Sequence, residues 1–170
     1  MKKTVLLFAM VAFGLTLLQS CKKDETTTPT DNTPAMVGVQ GKWQSSGSNV
    51  APLLVTLFKL DSIYAEFNTN MTYTVKQWDS TGTQLATLSG TYTQTKSSTG
   101  NIWTITVNQT SPAALTSEGI FEVTDGTMKY EVVQTTPDIG AIKPTPEKGF
   151  GSTNNGALGT LNVQKYVAVK

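Results

Sequence analysis

From Val37 onward, apolar and polar residues alternate with period two. Ile63, Ala65 and Phe67 share one side of Asp61–Phe67, and Met71, Tyr73 and Val75 one side of Met71–Trp78. Leu88, Gly90 and Tyr92 align within Leu85–Gln94, and Trp103, Ile105 and Val107 within Ile102–Asn108. Successive strand residues point to opposite faces, so this pattern predicts strands with one buried face. Gln40–Ser46 reads as an earlier strand carrying Trp43. Gly159–Val169 reads as the last, with Leu161, Val163, Val167 and Val169 in step and Lys165 interrupting that face.

Polar turn residues separate these runs: "NTN" before Met71, "DSTGT" after Trp78 and "SSTGN" before Ile102. The sharpest local signal is Asp125-Gly126. It lies between Ser117–Thr124 and Thr127–Gln134, where Phe121 and Val123 share a face on one arm and Met128, Tyr130 and Val132 share a face on the other. Asp-Gly between alternating runs predicts a two-residue type I′ hairpin. Two segments break the meander. Ala51–Leu60 sets Leu53, Leu54, Leu57 and Phe58 at helical spacing behind Pro52, predicting a short helix or irregular lid, with a strand as the other reading. Thr136–Leu158 is a long Pro/Gly/Asn-rich connection of a kind that is usually functional or disordered.

About eight antiparallel strands follow, and the predicted class is all-β: an eight-stranded barrel or an immunoglobulin-like β-sandwich. Cys21 is the single cysteine, so no disulfide forms within the chain. The fold is held by its core and sheet hydrogen bonds.

The N-terminus has a different pattern. Lys2 and Lys3 precede the uncharged, mostly apolar run Thr4–Leu18. At about 15 residues that run is short against the roughly 20 a membrane span needs, and it fits an export signal. A buried N-terminal helix or a permanent anchor helix is the other reading. Leu18-Gln19-Ser20-Cys21 resembles the lipobox of bacterial lipoproteins. That resemblance implies cleavage before Cys21 and fatty acylation of it, palmitate included, with anchoring to the outer membrane. Lys22-Lys23-Asp24-Glu25 resembles the charged signal that sends some lipoproteins to the cell surface, and a periplasm-facing position is the alternative. Several acyl chains meet the requirement for stable anchoring, since one chain binds only marginally. "TTTPTDNTP" then reads as a disordered tether. The predicted organisation is a signal over residues 1–20, a lipidated cysteine and tether over 21–37, and a β domain over 38–170.

Gly41-Lys42-Trp43 resembles the glycine-x-tryptophan signature that opens the first strand of lipocalins. The apolar Pro52–Phe58 segment falls where that family often closes one barrel end. The resemblance implies a barrel that binds a small apolar or amphipathic ligand. Lipocalins often pack an arginine over the tryptophan. This chain has no arginine, and Lys165 or Lys170 is the available substitute through a cation–π contact.

Charge and chemistry narrow the picture further. Past the signal, eleven lysines stand against twelve acids, which gives no electrostatic case for nucleic acid. There is no histidine, hence no Ser-His-acid or Cys-His centre and no histidine metal site. Glu118 and Glu122 share a strand face, which predicts a solvated face more readily than a carboxylate pair for catalysis or calcium. No catalytic residue, metal site or cofactor is predicted, and an enzyme is the least favoured class. Asp61-Ser62-Ile63 and Asp79-Ser80-Thr81 resemble O-glycosylation motifs of some bacterial envelope proteins. Six large aromatics, Tyr64, Tyr73, Trp78, Tyr92, Trp103 and Tyr130, are too many for one small interior, so some face outward or line a cavity. Trp78, Trp103 and the loop residue Phe150 are candidate ligand or partner contacts. The leading expectation is a surface lipoprotein whose barrel binds a small apolar or amphipathic ligand or a glycan. The alternative is a structural or protein-interaction lipoprotein with a filled barrel and an envelope protein partner.

Overall fold

A computed structural model describes residues 36–170. The signal segment, Cys21, Lys22, Lys23, Asp24, Glu25 and nearly all of the tether lie outside the described residues. Eight strands follow in chain order: β1 (Gly41–Ser46), β2 (Ser62–Phe67), β3 (Thr72–Trp78), β4 (Gln84–Lys96), β5 (Trp103–Ser111), β6 (Leu115–Thr124), β7 (Thr127–Thr136) and β8 (Gln164–Ala168). Each pairs antiparallel with its sequence neighbours, and β1 also pairs with β8, so the sheet closes into a barrel. That closure excludes the sandwich.

The local chemistry accounts for the hairpins. Asp125 and Gly126 both take positive φ, 48° and 73°, as a type I′ turn requires, and Thr124 pairs directly with Thr127. In "DSTGT", Asp79 Oδ1 accepts hydrogen bonds from the Thr81 and Thr83 amides and from the Thr81 hydroxyl. Ser80 of that glycosylation-like motif is therefore exposed on a rigid turn, whereas Ser62 of the other lies in β2, paired with both Ser46 and Trp78. Gly90 sits at a register shift between β4 and β5, where an added Cβ would lie 2.0 Å from the Asn108 carbonyl oxygen. Only glycine permits that approach.

Ala51–Leu60 contains the helix α1 (Pro52–Phe58), opened by Pro52 and stopped by Lys59 in the left-handed region. Its apolar spacing is only half used. Leu53 and Leu54 are half-buried, whereas Leu57 and Phe58 are 61% and 58% exposed.

The last strand corrects the expectation for Gly159–Val169. Gly159–Asn162 forms a 3-10 turn, and β8 begins at Gln164. Its buried face is Gln164 and Tyr166, while Lys165 and Val167 point outward. Lys165 did not interrupt an inner face; it marked the outer one. The register sets Tyr166 opposite Met128, whose buried side chain it meets from the facing strand.

The meander fixes two barrel ends. One is closed by Val39, Trp43, Tyr92, Phe121 and Met128, all buried. Phe67 packs edge-on to Tyr92 there, with ring centroids 5.2 Å apart. Burying such side chains contributes roughly 1.5–3 kcal/mol each. The other end carries α1, the β3–β4 and β5–β6 turns, and the long β7–β8 connection.

That connection packs over the outside of the barrel. Glu131 projects from the outer side of β7 and is fully buried. Its carboxylate accepts from the amide of Gly151 at 2.6 Å, the amide of Thr153 at 3.0 Å and the hydroxyl of Thr153 at 2.5 Å. Ile120, cross-strand from Glu131, is fully buried as well. Replacing Glu131 by Gln sets an N–H₂ group against these donors, and a buried unmade hydrogen bond costs about 1–3 kcal/mol. E131Q is expected to lower urea-unfolding stability by about that amount and to speed proteolysis within Ile139–Phe150.

Candidate functional site

Inside the barrel, between the closed end and α1, lies a cavity of about 170 Å³. The inward positions of the strands build it in tiers. Phe67, Tyr73, Tyr130 and Tyr166 form its floor. Ile63, Val75, Leu88, Val107 and Val132 form an apolar wall. Leu54 of α1, Gln77, Gln109, Leu115 and Asn162 line the mouth. These are the faces the alternation selected on β2 to β5 and on β7, continued to the strand ends.

Several polar groups of the lining are committed to structure. The Gln164 amide donates to the Ser45 hydroxyl, and its carbonyl accepts from the Ala51 amide at 2.7 Å. Asn162 Nδ2 donates to the Val132 carbonyl at 3.0 Å. Gln109 Nε2 donates to the Ala113 carbonyl at 2.9 Å. Among the described residues, no Lys, Asp or Glu lines the cavity. The floor therefore presents aromatic surface and three phenols. Burial pushes the Tyr73 hydroxyl up to about 12. Burial also raises Tyr130 and Tyr166, and the neighbouring Tyr166 and Tyr73 hydroxyls raise Tyr130 further. All three stay protonated at any physiological pH.

The predicted contact residues lie elsewhere. Trp78 falls on the opposite parity to Tyr73, Val75 and Gln77, and so faces out of the barrel. Trp103 stacks on Phe121 at the closed end, ring centroids 5.9 Å apart, with the Lys96 ammonium 5.8 Å from its centroid. Phe150 lies on the outer surface of the barrel, with the Lys129 ammonium 5.7 Å from its ring, and does not plug the mouth. These three residues are not brought together, and none lines the cavity. Of the other large aromatics, Tyr64 faces outward and donates to Glu66 at 3.2 Å, while Tyr92 packs the closed end. Glu118 and Glu122 are on the outer face, ion-paired separately with Lys143 and Lys129.

Gly41 and Trp43 belong to the closed end. Gly41 has φ 125°, and the buried Trp43 indole donates to the Val39 carbonyl at 2.8 Å. Neither Lys165 nor Lys170 takes the arginine's place over Trp43. Among the described residues the cation–π contacts are those of Lys96 and Lys129. Lys165 is exposed on the outer side of β8, out of reach of an indole packed inside.

Sequence reasoning missed Tyr166 and Gln164, because valine parity assigned β8 to the wrong face. The lysine at position 165 was the available signal. The chain matches no protein-family model, no curated protein and no solved structure.

The phenols predict a pH dependence. An unfolded tyrosine titrates near 10, and these three titrate higher in the fold. Between those values the folded state holds the extra protons. Their contribution to stability is thus complete below about pH 10 and is lost as pH rises above it, at up to about 1.4 kcal/mol per pH unit per tyrosine. Urea midpoints measured from pH 8 to 11 are expected to fall less steeply above pH 10 in a Tyr130→Phe/Tyr166→Phe variant than in the parent.

Proposed function

We propose that this protein is a lipid-anchored binding module of a bacterial outer membrane, displayed at the cell surface, whose barrel takes up one small, largely apolar ligand. The observation that carries this reading is the open space at the barrel centre. Eight-stranded barrels either fill with side chains or hold one small ligand. Here about 170 Å³ remains, walled by aliphatic and aromatic groups. Drug-sized ligands occupy roughly 300–1,000 Å³, whereas an apolar cavity of about 150 Å³ accepts benzene. The ligand is therefore of single-ring or short-chain size. A long acyl chain or an oligosaccharide exceeds the space, which favours a small apolar compound over a glycan. Anchoring rests on Leu18–Cys21 and surface display on Lys22–Glu25.

Two substitutions test the cavity. Val75→Phe and Val132→Phe each place a ring into the open space. Both variants are expected to keep the parent's circular dichroism and to bind toluene or cumene at least about tenfold more weakly, as read by calorimetry. Unchanged affinity in both would reject the ligand reading. For the anchor, cells fed an alkyne-tagged palmitate are expected to label the parent and not Cys21→Ser. Label retained on the variant would reject lipidation at Cys21.

One observation favours the second reading, a structural or interaction lipoprotein. Val55, Leu57 and Phe58 of α1 are exposed, and Leu161 is exposed on the 3-10 turn that packs against α1. If this face holds an envelope protein, Leu57→Lys/Phe58→Lys is expected to abolish a specific crosslink in intact cells and leave cumene binding unchanged.

A further inference from the structure

The five tyrosines of this chain divide into two groups. Tyr92 donates its hydroxyl to the Asn68 carbonyl at 2.8 Å, and Tyr64 donates to Glu66. Both lie off the cavity. Tyr73, Tyr130 and Tyr166 line its floor from β3, β7 and β8. No protein group among the described residues hydrogen-bonds their hydroxyls. Every sealed side-chain nitrogen or oxygen among the described residues has a partner. The three unpaired phenols are thus not sealed in protein: they open onto free space, and the free space they line is the cavity. They are also grouped. Tyr130 and Tyr166 meet edge to face with centroids 6.2 Å apart.

An unpaired phenol facing a cavity is a hydrogen-bond donor waiting for an acceptor, since burying such a group without a partner is costly. The remaining uncommitted polar side chains, Gln77 and Ser117, lie higher on the wall, toward the mouth. Among the described residues the lining has no cation. A carboxylate or phosphate drawn to the floor loses its hydration with no opposite charge to replace it. A carbonyl oxygen loses little, and its two lone pairs match two phenol donors.

We propose that the cavity selects an uncharged ligand with a single-ring or short apolar body and a carbonyl-type acceptor, and that Tyr130 and Tyr166, flanked by Tyr73, donate to that acceptor. This assignment rests on the ligand-binding reading above and names the ligand's chemical class. The raised hydroxyls described above keep the donors in place across the physiological pH range.

Three probes of matched size separate the possibilities in the full-length protein at pH 7: acetophenone, its acceptor-free analogue cumene, and the anion benzoate. Acetophenone is expected to bind about tenfold more tightly than cumene, the effect of one or two hydrogen bonds. Benzoate is expected to bind at least about tenfold more weakly than acetophenone. The Tyr130→Phe/Tyr166→Phe variant is expected to bind acetophenone no more tightly than cumene, and its continued binding of cumene reports an intact cavity. Equal binding of acetophenone and cumene by the parent, a variant that keeps the tenfold preference, or benzoate binding as tightly as acetophenone would each overturn the tyrosine assignment. Should cumene bind while acetophenone shows no preference, the cavity reading survives and this one fails. Should none of the three bind, both fail.

Discussion

The rest of the structure depends on the seam where β1 meets β8. Seven strand pairs come from neighbours in sequence, mostly through short turns, and would form an open meander by themselves. Only β1 and β8 pair across the length of the domain, and they do so over two residues, Trp43 with Ala168 and Gln44 with Val167. The Val169 amide adds a bond to the Lys42 carbonyl at 2.8 Å. A seam this short needs support from side chains. Gln164 supplies it, joining β8 to Ser45 of β1 and to the backbone at Ala51 ahead of α1. One buried amide thereby ties the last strand, the first strand and the start of the mouth helix. With no disulfide in the chain, this polar bridge and the packing of Trp43 keep the sheet closed.

Closure has a second layer on the outside. An up-and-down barrel ordinarily leaves its outer face to water, so outer residues are polar and exposed. On β6 and β7 the long connection covers that face, and Ile120 and Glu131 are buried there. Glu131 holds the connection by accepting from Gly151 and Thr153, a satisfied carboxylate with no cation beside it among the described residues. Such a group is worth keeping only while all its donors stay in place. The connection is therefore part of the domain's structure, and its Pro, Gly and Asn content reflects tight turns. Asn154 and Asn155, for example, take φ of 52° and 56°.

Inside, the cavity follows from a mismatch between side-chain volume and barrel size. Aromatics fill the closed end, while the wall above carries Val75, Leu88, Val107 and Val132, which are too small to meet across the centre. The floor between these regions is aromatic and phenolic. The aliphatic wall offers only non-directional contact, so directional polarity is confined to the phenolic floor and to the mouth.

Much of this was legible in the chain itself. Period-two alternation located β2 to β7 and assigned inner faces that the structure keeps, since one buried face imposes that pattern directly. Asp125-Gly126 specified its turn because both residue types tolerate the two positive φ values that a type I′ turn needs. The readings of residues 1–35 as export signal, lipobox and tether rest on the sequence alone. Tertiary structure decided the rest. It set the face of β8, where a tyrosine and a glutamine went inward and Val167 did not, because register and bridging outweigh residue type. It buried Ile120 and Glu131 under a connection no periodicity describes. It scattered Trp78, Trp103 and Phe150 and gathered Tyr73, Tyr130 and Tyr166, because contact across a closed barrel depends on shear and closure, which no local stretch of sequence encodes.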